Sequence, residues 1–526
     1  MILLTTYWRK PMALISDFAL KMKSKENISL IFFLAIFFIL NALTIMEFPS
    51  VHSDELWLKG IADASKSAKS IWVTEPFFDL YPRSPHPFRW LYVSLENIFI
   101  KGFGNSVATM RLLSLSMSTL ALYTFYHLLK VLKLPAFWGL FSLMFNISFI
   151  YTSRFGRQES SILFIFLLAI YTVIRFADSK LSLSGILPAM ITFLAIGIHP
   201  NSFIIAVVTV SIMFVQCFQK KRSTKSILIY LLTLTFSFGL WVGLSEWTHS
   251  GFFKAYLNYG ASLGLDHAPL SRLNLFIWYF RKIYNQIGGT YDIMNLKWLM
   301  AIGLLMLINP KLQNIGTLGM ASTALALFLI GRNNQLAIVF FMPWLVIAFL
   351  YTVKALMQKY KTLILSVFLL TMTYNAYVNI HEYALNMPYV LDYQDMIEIL
   401  KASIPEESTV LGNLNTIEAF DENRFYDLRN LGYLEAHGMT LEEYIALHHI
   451  EYIVLHDEMN YIQRTSPTWD FLYVNTSYFD ELFDFVQSQC TPVIIFENPV
   501  YAMRISMYSG TYPWRTSVYK VKTIKP

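Results

Sequence analysis

Charge is scarce in this sequence. Of its 526 residues only 14% are Asp, Glu, Lys or Arg, against about 25% in a typical soluble domain. A soluble chain of this length needs more polar surface than that, so a soluble globular fold is excluded. Cysteine is nearly absent, with only Cys217 and Cys490, which excludes a disulfide scaffold and any Cys-built metal or redox cluster. Glycine at 22 and proline at 19 are too few for a collagen-like or disordered chain. No internal repeat and no low-complexity tract is visible.

What is abundant is apolar. Hydrophobic residues make up 55% and aromatic residues 16%, a composition that leaves a polytopic membrane protein. A span needs roughly 20 apolar residues. The runs predict about 11 transmembrane helices, near 28–47, 107–129, 135–152, 160–176, 185–198, 201–218, 226–245, 297–309, 315–331, 336–353 and 362–380. The first run starts near Asn27 and ends at the acid Glu47, so no cleavable signal peptide is expected.

The net charge of +6 conceals a division. Residues 381–526 hold 21 acids against 9 Lys/Arg, while residues 1–380 hold 14 acids against 32 Lys/Arg. The basic part is the membrane part, so nucleic-acid binding is a poor reading of the high pI. With the N-terminus in the cytoplasm, every inner connection is positive. Those connections carry Arg9, Lys10, Lys21, Lys23 and Lys25, then Lys130 and Lys133, then Arg175 and Lys180. Lys220, Lys221, Arg222 and Lys225 follow, then Lys311, then Lys354, Lys359 and Lys361. This is the positive-inside pattern. It predicts an integral multi-pass protein of the plasma or inner membrane whose C-terminal domain is extracytoplasmic. The expected division is a membrane domain over 1–383, with outer loops at 48–106 and 246–296, and a soluble α/β domain over 384–526. In the latter, strand-like runs lie at 409–412, 450–455 and 492–496, and Thr440 with Glu443 reads as a capping box.

Polar residues gather on the predicted outer side. Asp54-Glu55 follows the first span, and adjacent carboxylates at a bilayer surface suit general-base work. The plain alternative is a helix start with Ser53 or Asp54 as N-cap. The stretch Tyr81–Arg89 has three prolines and carries Arg83, His86 and Arg89. It reads as an anion-ligating turn or as a rigid turn with interfacial cations. Arg154, Arg157 and Glu159 precede the fourth span, where an acid is costly unless paired or functional. His199-Pro200 and Arg332 sit in short turns between spans. Convergent acids and cations at one membrane face suggest a substrate that carries phosphate.

The order of these motifs resembles the GT-C glycosyltransferases that use lipid-phosphate sugars, among them the protein O-mannosyltransferases and the aminoarabinose transferases of lipid A. The resemblance rests on Asp54-Glu55, Pro85-His-Pro-Phe88, Phe103-Gly-Asn-Ser106, Arg111-Leu-Leu-Ser114, the Arg154–Glu159 turn and His199-Pro200. It covers residues 28 to about 220 well. Trp57 stands near the place of the family's Tyr after Asp-Glu, Phe88 replaces its second Pro, and Glu159 replaces its usual Asp.

The resemblance implies a GT-C fold and a polyprenyl-phosphate sugar as donor. The acceptor would be a hydroxyl on a lipid, glycan or protein, and transfer would invert the anomeric centre at the outer face. Asp54, Glu55 and Glu159 are then the catalytic candidates, with Asp54 the base. His86, Arg89, Arg154, Arg157, His199 and Arg332 are the candidates for holding the donor phosphate. No cofactor is called for; a divalent metal is compatible with the family but required by nothing in the sequence. Two other readings stay open: a transporter or flippase for a lipid-linked glycan, and a non-catalytic scaffold or sensor with an exterior domain.

Overall fold

The structure is a computed structural model. It describes residues 25–49, 51–83, 85, 87–262, 273–274, 293–309, 313–330, 335–356, 360–386, 393–465, 477–497 and 515–522. His86, Arg332 and most of the 246–296 loop lie outside the described residues.

Each predicted span coincides with a helix or a broken helix. Six are long and apolar enough to cross a membrane: Lys25–Leu43, Val107–Val131, Pro200–Phe218, Thr224–Thr248, Leu336–Ala355 and Lys361–His381. A seventh forms if Ala136–Met144 and Ile147–Ser153, bent by 67°, are taken as one span. Asn146 makes that break: its side chain accepts from the Ser148 and Phe149 amides and so caps the second piece. The remaining predicted spans are shorter apolar helices, Ser182–Ile196, Lys297–Ile308 and Ile315–Ile330, together with Glu159–Arg175. The described helices make a multi-pass membrane protein; the expected count of about 11 is reached only if all the shorter ones also cross.

The bundle's centre is the pair Val107–Val131 and Glu159–Arg175, joined by a dry core of Leu122, Phe125, Leu163, Phe166 and Ile170, each fully buried. On the outer face of Lys25–Leu43, by contrast, Phe32, Leu40 and Leu43 are 58–75% exposed. Such apolar exposure fits a surface that meets lipid rather than water.

Between the first two spans the chain is helical, not a plain loop. Ser53–Ala68 and Trp90–Phe103 are amphipathic helices. The first starts on a capping box made by His52, not by Ser53 or Asp54. His52 Nδ1 accepts from the Asp54 amide, and the Glu55 carboxylate accepts from the His52 amide. The capping reading of Asp54 is thereby corrected: its carboxylate is left for other partners.

The C-terminal part is a small α/β domain. Its five strands run β1 (Val410–Gly412), β2 (Phe425–Asp427), β3 (Tyr452–His456), β4 (Cys490–Glu497) and β5 (Arg515–Val521), in spatial order β2-β1-β3-β5-β4. The first three strands are parallel, with Val410 opposite both Phe425 and Tyr452. β5 is antiparallel to its neighbours on both sides. Three of the strands lie on the runs read from sequence, and the Thr440–Glu443 capping box is present. Both cysteines are free. The domain does not stand apart. It docks on the segment between the first two spans: Asp427 N donates to Phe77 O at 3.1 Å, Lys59 meets Glu422 at 2.9 Å, and His448 meets Asp79 at 2.8 Å.

Candidate active site at one end of the bundle

Asp54 is in the first turn of Ser53–Ala68, and Arg157 lies in the turn before Glu159–Arg175. The two make a direct ion pair, Arg157 Nη1 to Asp54 Oδ2. The other end of the same guanidinium reaches Glu159, Nη2 to Oε1 at 3.3 Å. One arginine thus bridges two carboxylates that are 105 positions apart in the chain. Burial works against the charge of Arg157, but the fields of Glu159 and Asp54 outweigh it and raise its pKa. The predicted Arg157–Glu159 pair is present, and Asp54 is its third member.

Glu55, the neighbour of Asp54, faces the opposite way. It is fully buried and meets Arg111 through two parallel hydrogen bonds of 2.8 Å, Nε to Oε1 and Nη2 to Oε2. Gly156 N also donates to Oε1 at 2.7 Å. Arg111 Nη1 donates to the carbonyls of Ile45 and Pro49, both at 2.8 Å. This one pair therefore joins the end of the first span, the first turn of Ser53–Ala68, the second span and the Arg154–Glu159 turn. A carboxylate so saturated has no lone pair directed at a substrate. Gly156 is needed at its place, because a Cβ there would stand 2.9 Å from Met110 Cβ and 3.0 Å from Glu55 Oε1.

His199 and Arg89 come to the same cluster by close backbone packing. Gly197 O accepts from the Leu91 amide at 2.8 Å, and a Cβ on Gly197 would meet the Trp90 ring at 2.6 Å. The His-Pro turn is thereby pressed onto the start of Trp90–Phe103, where Arg89 stands at the N-cap. Burial, then the positive fields of Arg89 and Arg157, hold the pKa of His199 well below its ordinary value. Its Nδ1 accepts from the Asn201 amide at 3.1 Å, so the neutral ring carries its proton on Nε2 and offers one donor. His199, Glu159, Gln158 and Asn201 line one recess, closed by Ile162, Ile204, Leu327, Ala337 and Phe340.

Arg154 is buried at the C-cap of Ile147–Ser153, its guanidinium 5.8 Å from the Phe48 ring centroid. Of the sequence candidates, Arg157 is in direct contact with Asp54 and Glu159, and His199 lies within electrostatic reach of both Arg89 and Arg157. Sequence reasoning missed Tyr92. It is fully buried one turn from Arg89, in the fields of Glu96, Glu159, Arg157 and Arg89, and burial foremost raises its pKa well above the ordinary value. Its only sequence signal was a Tyr in an otherwise apolar helix, three residues after an arginine. Among the described residues no three His, Cys, Asp or Glu side chains converge as a metal site, and no step below uses a metal.

No protein-family model matches the sequence, and no curated protein does. Among solved structures the chain is similar to ArnT from Cupriavidus metallidurans in the apo state, with a TM-score of 0.50 and 10% identity over 92% of this chain and 97% of that one. It is also similar to ArnT bound to undecaprenyl phosphate, with a TM-score of 0.47 and 9% identity over 92% and 97%. A third similarity is to the archaeal oligosaccharyltransferase AglB from Archaeoglobus fulgidus, in complex with an inhibitory peptide and a dolichol-phosphate (TM-score 0.46, 14% identity, 84% of this chain and 70% of that one). The first similarity shows the fold. The chain has the architecture of ArnT, which is the one expected from the order of its motifs.

Proposed function

We propose that this protein is a membrane glycosyltransferase that moves a sugar from a polyprenyl-phosphate donor to an acceptor hydroxyl at the outer face. The observation that supports it most is the Asp54–Arg157–Glu159 bridge with Arg89 and His199 beside it. It combines an ionised carboxylate, cations and a neutral donor at one end of a membrane bundle. In the reaction the acceptor oxygen attacks the anomeric carbon as the bond to the phosphate oxygen breaks, so the centre inverts. Asp54 takes the hydroxyl proton, and the donor phosphodiester leaves as a phosphate monoester with one more negative charge. Arg157 and Arg89 meet that growing charge, and His199 Nε2–H hydrogen-bonds it, so they favour the transition state over the ground state.

The Asp54–Arg157 pair also sets an order. An aspartate tied to an arginine is a weak base. When the donor phosphate draws the Arg157 guanidinium to itself, Asp54 loses its partner and gains basicity. The base is thus armed only when donor is bound. Glu159 keeps the other end of Arg157 oriented throughout. Glu55 is read as structural, and Arg154, His86 and Arg332 remain candidates for the phosphate. The transporter reading is disfavoured by Arg111. Arg111 is fully buried within Val107–Val131, and its two hydrogen bonds to Glu55 make it part of a structural pair rather than of a transport path.

The test is transfer of label from several polyprenyl-phosphate sugars in membranes carrying the protein. Transfer by the unaltered protein that disappears in Asp54→Asn, at equal expression, supports the reading. Absence of transfer from every donor tried rejects it.

A further inference from the structure

Arg429 belongs to the C-terminal domain, yet it reaches the outer segment of the membrane domain. It follows β2 directly. Asp427, the last residue of β2, caps the next turn by accepting from the Arg429 amide at 2.9 Å. The same carboxylate accepts from Arg429 Nε at 2.7 Å and Nη2 at 2.9 Å. A guanidinium held along one edge by two parallel bonds to a single carboxylate is fixed in orientation. It is 1% exposed and rests 4.6 Å from the Trp57 ring centroid and 4.8 Å from that of Phe78. Its third nitrogen, Nη1, is buried without a hydrogen-bond partner among the described residues.

Trp57 is three residues after Asp54, so the two share a face of Ser53–Ala68. The indole is fixed from a second side. Its Nε1 donates to Glu75, which holds Arg83 through Nε at 2.9 Å, and the Arg83 guanidinium stands 4.8 Å from the same ring. Burial opposes the charge of Arg429; Asp427 foremost sustains it, and Tyr81 and Asp54 add to it. Arg429 and Asp54 therefore feel one another, although their domains are separate in sequence.

We propose that Arg429 is a positioning residue for Asp54: clamped by Asp427, it locks Trp57 and the first helical turn, and it brings a second positive charge to bear on the Asp54 carboxylate. The inference rests on the glycosyltransferase reading above, and it makes the C-terminal domain a working part of the site rather than a cap. When Arg157 turns to the phosphate, the hold of Arg429 on Trp57 keeps the Asp54 turn in place.

The test uses the full-length protein in lipid discs and follows transfer against pH. Among the described residues Arg157 and His52 stand against Asp54, Glu159 lies beyond Arg157, and Arg429 lies within its electrostatic reach. Removing one cation favours protonation of the carboxylate. Arg429→Gln is therefore expected to lower kcat by about ten- to a hundredfold, the scale of a misplaced catalytic group, and to move the acid limb of the profile to higher pH. Arg429→Lys, which keeps the charge, is expected to bring the limb back. Lys59→Gln is the control. It loosens the same docking through Glu422 but does not face Asp54, so it should lower the melting temperature and leave the limb in place.

An unchanged profile in Arg429→Gln, or an equal limb shift in Lys59→Gln, overturns the inference. If Arg429→Gln does not fold, Arg429→Lys is read alone: it keeps the charge but loses the two-bond clamp to Asp427, so a lowered kcat with an unmoved limb supports the inference, and a wild-type kcat or a shifted limb overturns it. Should the unaltered protein transfer nothing, both readings fall. If Asp54→Asn is inactive while Arg429→Gln is fully active, only this one does.

Discussion

At the scale of single residues, Asp54 and Glu55 are neighbours with opposite surroundings. Asp54→Asn keeps the shape and loses the base, so transfer should fall by about 10²–10⁴ while the protein still reaches the membrane. Because His52, not Asp54, caps the helix, a normally active Asp54→Asn protein would end the assignment. Glu55→Gln should act through folding instead. It leaves Arg111 charged and buried with a neutral partner, and breaking a buried pair costs about 3–5 kcal/mol. The yield of folded protein should drop sharply, and the rate per folded molecule should change less than in Asp54→Asn. Detergent-solubilised yield and specific activity, measured side by side, separate the two. The resemblance named Asp54 as the base, but that Glu55 is saturated depended on Arg111 and Gly156, 56 and 101 positions away.

At the scale of elements, the turns that bear the site are held by backbone approach. Gly156→Ala would force its Cβ against Met110 and Glu55. Overpacking of this kind costs about 1–3 kcal/mol, so the melting temperature should fall, and activity should fall with it as the Arg157 turn shifts. A variant with wild-type melting would show that the turn relaxes freely. In the C-terminal domain, His456 on β3 is buried, and its Nδ1 lies 2.8 Å from Thr516 Oγ1 on β5. Burial pushes its pKa down to about 4. An unfolded histidine titrates near 6.5, so between those values the unfolded chain binds the extra proton. Stability is therefore full above about pH 6.5 and declines as pH falls toward 4. Thermal melts across that window should show the decline, and His456→Asn should flatten it. The capping box at Thr440 was legible because it is a local pattern. β2 and β5 were not, because a short strand such as Phe425–Asp427 has no period of its own and is defined by its partner.

At the scale of the whole molecule, the prediction is sidedness. Lys101→Cys lies in the first outer segment and Ser223→Cys in a positive connection, and both positions are exposed. In intact cells an impermeant thiol reagent should label the first and spare the second. Equal labelling would reverse the topology on which the outer-face site depends. The docking of the C-terminal domain on residues 77–81 and Lys59 places it on the same side as Asp54. The native Cys217 and Cys490 should be replaced beforehand, since both are free.

What the sequence determined by itself was what depends on composition and short-range order. Scarce charge, long apolar runs and the Lys/Arg asymmetry dictate a polytopic membrane protein, because each span satisfies its own backbone hydrogen bonds in lipid. The order of motifs on one side pointed to the ArnT-like fold and to the region of the site. Only the tertiary structure decided which charges meet. Ion pairing is a matter of a few ångströms across distant segments, and hydropathy carries no such information. That Arg157 bridges Asp54 to Glu159, that Arg111 consumes Glu55, and that Arg429 arrives from the far end of the chain to face Trp57 are facts of packing. Each follows from close helix and turn contacts that bury a charge and so require it to find an opposite one.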